Sequence, residues 1–266
     1  MNKKIIFSIF FLLLLEIPTF SYELNGNFVQ GGLIKGKVVP GTKVLLDNNL
    51  IKVSKDGLFV FGINKERISD LILELRYNSK KEVIVKKVQK RKFIIQRIDG
   101  LPPRMVTPNE KDMKRIREES QLIEKSKLNN SDNTFFFTNF LKPVNGIITG
   151  RYGNQRILNG KPRRAHYGID IAAKKGEPVK STAKGIVTLV EKNLYFTGGT
   201  IFIDHGHGIN SIYSHLDSVL VKKNQLVNKG DIIATVGSTG RSTGPHLDFR
   251  IYWKNIAVDP ELILKN

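Results

Sequence analysis

The sequence predicts a chain dominated by β structure: a small sandwich over residues 22–100, a helical linker over 101–134 and a larger β-sheet domain over 135–266. Three observations predict it. Short apolar runs (KVLLD, LFVFGI, LILELRY, EVIVKKV, KFIIQRI) recur between turn signals at Pro40-Gly41, Asp47-Asn48-Asn49, Asp56-Gly57 and Asn78-Ser79. That rhythm suits a two-sheet module of immunoglobulin-like type. Thr107-Pro108-Asn109-Glu110 has the form of a capping box, and Met113, Ile116, Ser120 and Ile123 then fall along one side of a helix running to about Leu128. Finally, in HLDFR and SIYSHL the polar and apolar positions alternate with the period of a strand.

At the start of the chain, Lys3 and Lys4 precede an apolar run from Ile5 to Leu15, followed by Pro18, Thr19 and Ser21. This is the layout of a signal peptide over residues 1–21, with an apolar core too short for a membrane span. A protein exported to the periplasm or secreted is therefore expected. Forty per cent apolar residues and 23 glycines suit folded domains rather than disorder. With no cysteine, the chain has neither disulfides nor a thiol for lipid attachment. Its formal charge of +19 becomes +18 when Lys3, Lys4 and Glu16 are removed, a balance that favours acidic partners. Export and the lack of any nucleic-acid-binding motif argue against nucleic acid. Carboxylate-bearing wall peptides or an anionic membrane surface fit better, and a purely solubilising surface fits equally well.

The N-terminal module contains no histidine, so it reads as a binding module or a spacer. Asn129 to Asn133 reads as a loop, and Phe135, Phe136 and Phe137 are expected to tuck against the domain that follows.

All five histidines lie between His166 and His246. Imidazole is the commonest metal ligand and the side chain best suited to proton transfer near neutrality, so this confinement points to one polar site. His166 and Asp170 are four apart in a stretch whose Gly168, Ile169 and Ile171 favour extended backbone, where residues an even number apart share a face. His246 and Asp248 are two apart, as are Tyr213 and His215. Three strands can therefore aim His166, Asp170, His215, His246 and Asp248 at one patch. That set is large enough for the three ligands of a hydrolytic zinc site and for groups that move protons.

From about Leu141 to Pro260 the chain resembles the lysostaphin-type zinc endopeptidases of bacterial peptidoglycan. The resemblance runs in order through PVNGIITGRYG, HYGIDIAA, GEPVKSTAKGIVTLV, IDHGHGINSIYSHL, VNKGDIIATVGSTGRSTGPHLDFR and VDPELIL. It implies a β-sheet peptidase domain with an open groove, one zinc ion per chain with His166 and Asp170 as ligands, and His215 and His246 as the two histidines beside the reacting carbonyl. The third ligand of the family pattern is a histidine, and Asp248 stands in its place. A carboxylate is a legitimate zinc ligand. Two of them, however, cancel the formal charge of the ion and weaken it as a Lewis acid. The implied function is a zinc-dependent endopeptidase acting on stem or cross-bridge peptides of the wall. The alternative is a non-catalytic member that binds the wall and activates a separate amidase.

Other residues have humbler expected duties. His205 shapes a turn between Gly206 and Gly208, with His207 exposed at its tip. Asp204 and Asp217 cap turns or orient neighbours. Arg241, Ser242 and Thr243 form a plain turn or bind a substrate carboxylate, and Lys161 to Arg164 form a wall of the cleft that draws in acidic peptides.

Overall fold

A computed structural model describes residues 21–265, so the signal peptide expected over 1–21 lies outside the described residues except for Ser21. Strands dominate. Among the described residues no helix is long and apolar enough to cross a membrane.

The N-terminal region holds two antiparallel sheets. One joins Tyr22–Asn25, Leu33–Val38 and Leu58–Gly62; the other joins Asn49–Ile51, Lys43–Leu46, Leu71–Tyr77 and Lys80–Lys86 in that order. Alternation explains the Leu71–Tyr77 strand: Leu71, Leu73 and Leu75 are buried while Ile72 and Arg76 are exposed. Glu74 breaks the pattern, because its carboxylate is covered by the side chains of Arg76 and Lys81. The two N-terminal sheets and the large C-terminal sheet share one continuous hydrophobic core, in which Phe59 and Phe61 are joined by Trp253 and Val258. Arg91 ties the two regions from the side, donating to Asp259 at 2.7 Å.

Ile95–Ile98 reads from the sequence as the last strand of the N-terminal module. It lies instead parallel to Gln155–Leu158, with Lys161–Pro162 on the far side. Backbone hydrogen bonding accounts for this: the Ile94 carbonyl accepts from the Gln155 amide and the Ile98 carbonyl from the Asn159 amide, so the strand satisfies its edge on a partner beyond the linker.

The linker also starts differently from expectation. Pro103 opens a short helix, α1 (Pro103–Val106), and Thr107 closes it rather than capping the next one. Asn109 caps α2 (Glu110–Lys127) by accepting from the Asp112 amide at 2.9 Å, a role its short amide side chain performs as well as a threonine hydroxyl. Asp112 is buried by Arg104 and by the Tyr195 hydroxyl, and Glu119 accepts from the Tyr195 amide, so α2 is fastened to the end of the C-terminal sheet.

The C-terminal region is a ten-stranded sheet whose central path runs Ile147–Gly150, Ile169–Ala172, His246–Trp253, Ile209–Val219, Gly198–Gly206, Gly185–Leu194 and Leu226–Val227. Leu247, Phe249 and Ile251 are buried on one face of the His246–Trp253 strand, which leaves His246, Asp248 and Arg250 on the other. The register places Asp170 directly opposite Asp248, and Gly150 opposite Asp170.

Candidate metal centre

Two carboxylates facing each other across an antiparallel pair repel, and sheets avoid the arrangement unless a cation lies between or beside them. Here each carboxylate has its own guanidinium. Arg156 donates to Asp170, and Arg250 grips both oxygens of Asp248 at 2.8 and 2.5 Å. Burial on its own would raise the Asp170 carboxyl, but His166 and Arg156 hold it down at about 2. Burial opposes Asp248 in the same way, and Arg250 and His166 keep it well below the usual carboxylate range. Both groups are therefore anionic at neutral pH.

His166 is not on the strand that carries Asp170. It sits three residues before that strand, where its amide donates to Asn154 and its carbonyl accepts from Gly153. The expected even-number spacing along one strand therefore does not hold, yet the side chains still meet: His166 Nε2 lies 3.1 Å from Asp170 Oδ1. Both atoms are buried, and among the described residues neither has a hydrogen-bond partner. One donor atom from each of His166, Asp170 and Asp248 falls within 4.8 Å of the other two. Orphaned buried polar atoms are costly, and two of them this close suit donors that share one small cation. Asp248 keeps coordinating capacity despite Arg250, because a carboxylate offers about four lone-pair sites and the guanidinium uses two. The donor set of one imidazole and two carboxylate oxygens fits zinc, and the two arginines offset the extra negative charge that Asp248 introduces.

Gly150 shapes this site by having no side chain. A Cβ there would stand 2.1 Å from Asp170 Oδ2 and 3.1 Å from Arg156 Nη2, so any larger residue would displace the carboxylate.

The structure brings His215 and His246 together, with ring centroids 4.6 Å apart, and His246 Nε2 is 3.9 Å from Asp170 Oδ1. Simple alternation would put His215 with Tyr213, whose ring packs on Phe249 on the opposite face. His215 instead adopts φ +64° just past the last registered pair, Ser214 with Asp248, and this left-handed backbone turns its side chain towards the site. Nδ1 of His215 lies 2.7 Å from the Thr239 carbonyl, and Nδ1 of His246 lies 2.9 Å from the Gly244 carbonyl. A carbonyl only accepts, so each Nδ1 carries the proton and each Nε2 has a free lone pair. Burial pushes the His215 imidazole down to about 4, with His246 adding to the effect and Asp248 opposing it.

The remaining histidines stay out of the site. His205 is fully buried, with Nδ1 at 2.7 Å from the Lys184 carbonyl and Nε2 at 2.8 Å from Ser211 Oγ. His207, expected at an exposed tip, is buried: its amide donates to Ser131 and its ring packs 4.9 Å from that of Phe136, because the loop before Phe136 folds over it. Asp204 does cap its turn, accepting from the Gly206 amide.

Arg156 and Arg250 were not singled out in the sequence. Arg250 could have been, since it lies two residues past Asp248 and so shares its face. Arg156 carries no local signal, because it reaches Asp170 from a separate short sheet.

Residues 164–260 match the model of peptidase family M23. Over 94 residues the chain is 47% identical to the peptidoglycan DD-endopeptidase ShyB of Vibrio cholerae, a match covering 35% of this chain and 22% of that protein. Over 101 residues it is 40% identical to the murein hydrolase activator NlpD of Salmonella dublin, covering 38% and 26%. The matched stretch thus spans about a fifth to a quarter of each relative's length. A crystal structure of a protein assigned to peptidase M23 from Pseudomonas aeruginosa superposes with a TM-score of 0.68 at 25% identity, covering 89% of this chain and 94% of the other.

Proposed function

We propose that residues 164–260, which match the model of peptidase family M23, are a peptidase domain of the lysostaphin type, and that the chain is an exported zinc-dependent endopeptidase that hydrolyses peptide bonds of peptidoglycan. The observation that carries the reading is the meeting of two orphaned donor atoms, His166 Nε2 and Asp170 Oδ1, with the Asp248 carboxylate, beside two histidines that both present free Nε2 lone pairs. Similarity to a peptidoglycan DD-endopeptidase supports the substrate class.

A zinc ion held by His166, Asp170 and Asp248 would supply Lewis acidity to the scissile carbonyl and make water a better nucleophile. The protein's own groups do the rest. His215 and His246 stand side by side with Nδ1–H anchored on backbone carbonyls, so neither ring can rotate without losing a hydrogen bond. Either Nε2 can accept the proton of the attacking water. The imidazolium so formed then holds an Nε2–H that can be delivered to the leaving amine. The low affinity of buried His215 for protons keeps it neutral at working pH and makes it release a captured proton readily. Arg156 and Arg250 hold the two carboxylates in place and restore the positive charge that a second carboxylate removes.

Purified sacculi incubated with the mature chain should release new amines, and a chelator should stop the release. Intact sacculi after prolonged incubation with the zinc-loaded protein would overturn the reading. A second reading has its own support, from the similarity to a murein hydrolase activator and from the Arg250 grip on Asp248. In it the domain binds the wall and activates an amidase, and it predicts no stoichiometric metal. Export to the periplasm or the medium follows from the sequence of residues 1–21 and from the wall as substrate.

A further inference from the structure

Beside the catalytic cleft lies a second and larger cavity. The cleft, about 310 Å³, is lined by Asp170, His215 and His246, and the neighbouring cavity is about 790 Å³. Arg156, Leu158 and Arg241 line both, so the two share a wall. Five arginines face the larger cavity: Arg156, Arg163, Arg164, Arg241 and Arg250. Among the described residues the one acidic side chain lining it is Glu124, which already accepts from Lys127 at 2.7 Å.

Arg156 and Arg250 are matched by Asp170 and Asp248. Among the described residues the other three have no carboxylate partner. Arg241 reaches only the Met105 carbonyl, at 3.4 Å, and stacks 4.4 Å over the ring of Phe196. Arg163 donates to the carbonyls of Pro162 and Val106, and Arg164 is exposed. Arg156, although paired through one nitrogen, has a buried Nε with no hydrogen-bond partner. Burial, and then the charges of Arg156, Arg250 and Arg163, depress the Arg241 guanidinium to about 10. Like charges held together in a half-buried cavity repel, and an anion relieves that repulsion. A planar guanidinium matches a carboxylate with two parallel hydrogen bonds. An apolar wall is also part of the lining, supplied by Met113, Ile116 and Ile123 of α2 with Tyr152 and Tyr252.

We propose that Arg163, Arg164 and Arg241 form a subsite for a free carboxylate of the substrate peptide, so that the protein selects stem peptides with free acids over their amidated forms. This rests on the peptidoglycan reading above. The carbonyls of Met105 and Val106 now occupy donors of Arg241 and Arg163. A carboxylate displaces them because it brings a full opposite charge and a two-oxygen face that matches the guanidinium fork, neither of which a backbone carbonyl offers. The apolar wall takes the aliphatic part of the peptide.

The test is calorimetric titration of the metal-free full chain with the stem tetrapeptide L-Ala, D-isoGlu, meso-diaminopimelate, D-Ala, as the free acid and with every carboxylate amidated. The free acid is expected to bind about tenfold tighter or more, the effect of one charge-assisted hydrogen bond. The double substitution Arg163→Gln with Arg241→Gln should remove most of that preference, and Arg241→Lys should keep part of it. Inorganic phosphate titrated alone should bind at least about tenfold more weakly than the peptide acid. Equal affinity for acid and amide in the wild-type chain would overturn the proposal, and so would phosphate binding as tightly as the peptide. Neither titration depends on hydrolysis. Acid-selective binding without amine release from sacculi would defeat the peptidase reading alone, and amine release without acid preference would defeat the subsite alone.

Discussion

Arg250→Met removes the guanidinium that grips Asp248 and leaves a side chain of similar length. Asp248 is 2% exposed and Arg250 26%, so the pair is mostly buried but the arginine keeps some contact with water. Breaking a buried pair from one side costs about 3–5 kcal/mol, because the remaining charge stays desolvated. The partial exposure of Arg250 argues for the lower end, about 3 kcal/mol. In a chain of this size that is a fall in Tm of roughly 6–12 °C. Zinc should rescue more stability in the variant than in the wild type, since the ion becomes the sole counter-charge of Asp248. Saturation at a hundredfold excess over Kd adds about 2.7 kcal/mol for any tight site, and tighter binding in the variant adds to that. The assay is thermal unfolding of both proteins with a chelator and with added zinc. A variant as stable as the wild type without metal, or one stabilised by zinc no more than the wild type, would refute the account of Asp248 as a ligand buffered by Arg250.

Other expectations follow from the same geometry. His205 is held neutral by burial at a pKa of about 4, against an ordinary 6.5. The unfolded chain binds a proton there that the folded chain refuses, so this stability is complete above about pH 6.5 and is lost as pH falls towards 4. The difference is about 3 kcal/mol. Urea midpoints across that window should fall less steeply in His205→Gln; an unchanged slope would contradict the assignment. Gly150→Ala should push the Asp170 carboxylate out of register and lower bound zinc per chain, as read by atomic absorption after dialysis. His215→Ala and His246→Ala should each cut turnover by about 10²- to 10⁴-fold while leaving zinc content near that of the wild type. Near-normal turnover in both would remove them from the reaction.

The sequence carried the site further than it carried the fold around it. HLDFR announces its own faces, because Leu247 and Phe249 had to be buried for His246 and Asp248 to emerge together. The strand period in SIYSHL, like the family resemblance, points to His215, but the period does so for the wrong reason: alternation would set it on the face of Tyr213, and its φ of +64°, which no local residue signals, turns it to the site. The swap at Asp248 was visible, but its remedy was not. Arg156 comes from a sheet assembled out of Ile95–Ile98, Gln155–Leu158 and Lys161–Pro162, whose pairing is a long-range event with no periodic signature. Asn109 took the cap from Thr107 because Pro102-Pro103 started a separate helical turn that uses Thr107 as its end. Either capping residue satisfies the same orphan amides, so local chemistry could not choose between them.

The central claim is that a carboxylate completes the metal centre. Zinc bound per chain, measured on the dialysed mature protein and on Asp248→Ala side by side, tests it most directly. One equivalent is expected in the wild type and a loss of stoichiometric zinc in the variant, with His166 and Asp170 intact in both. A wild-type chain that holds no zinc, or a variant that holds a full equivalent, would contradict it.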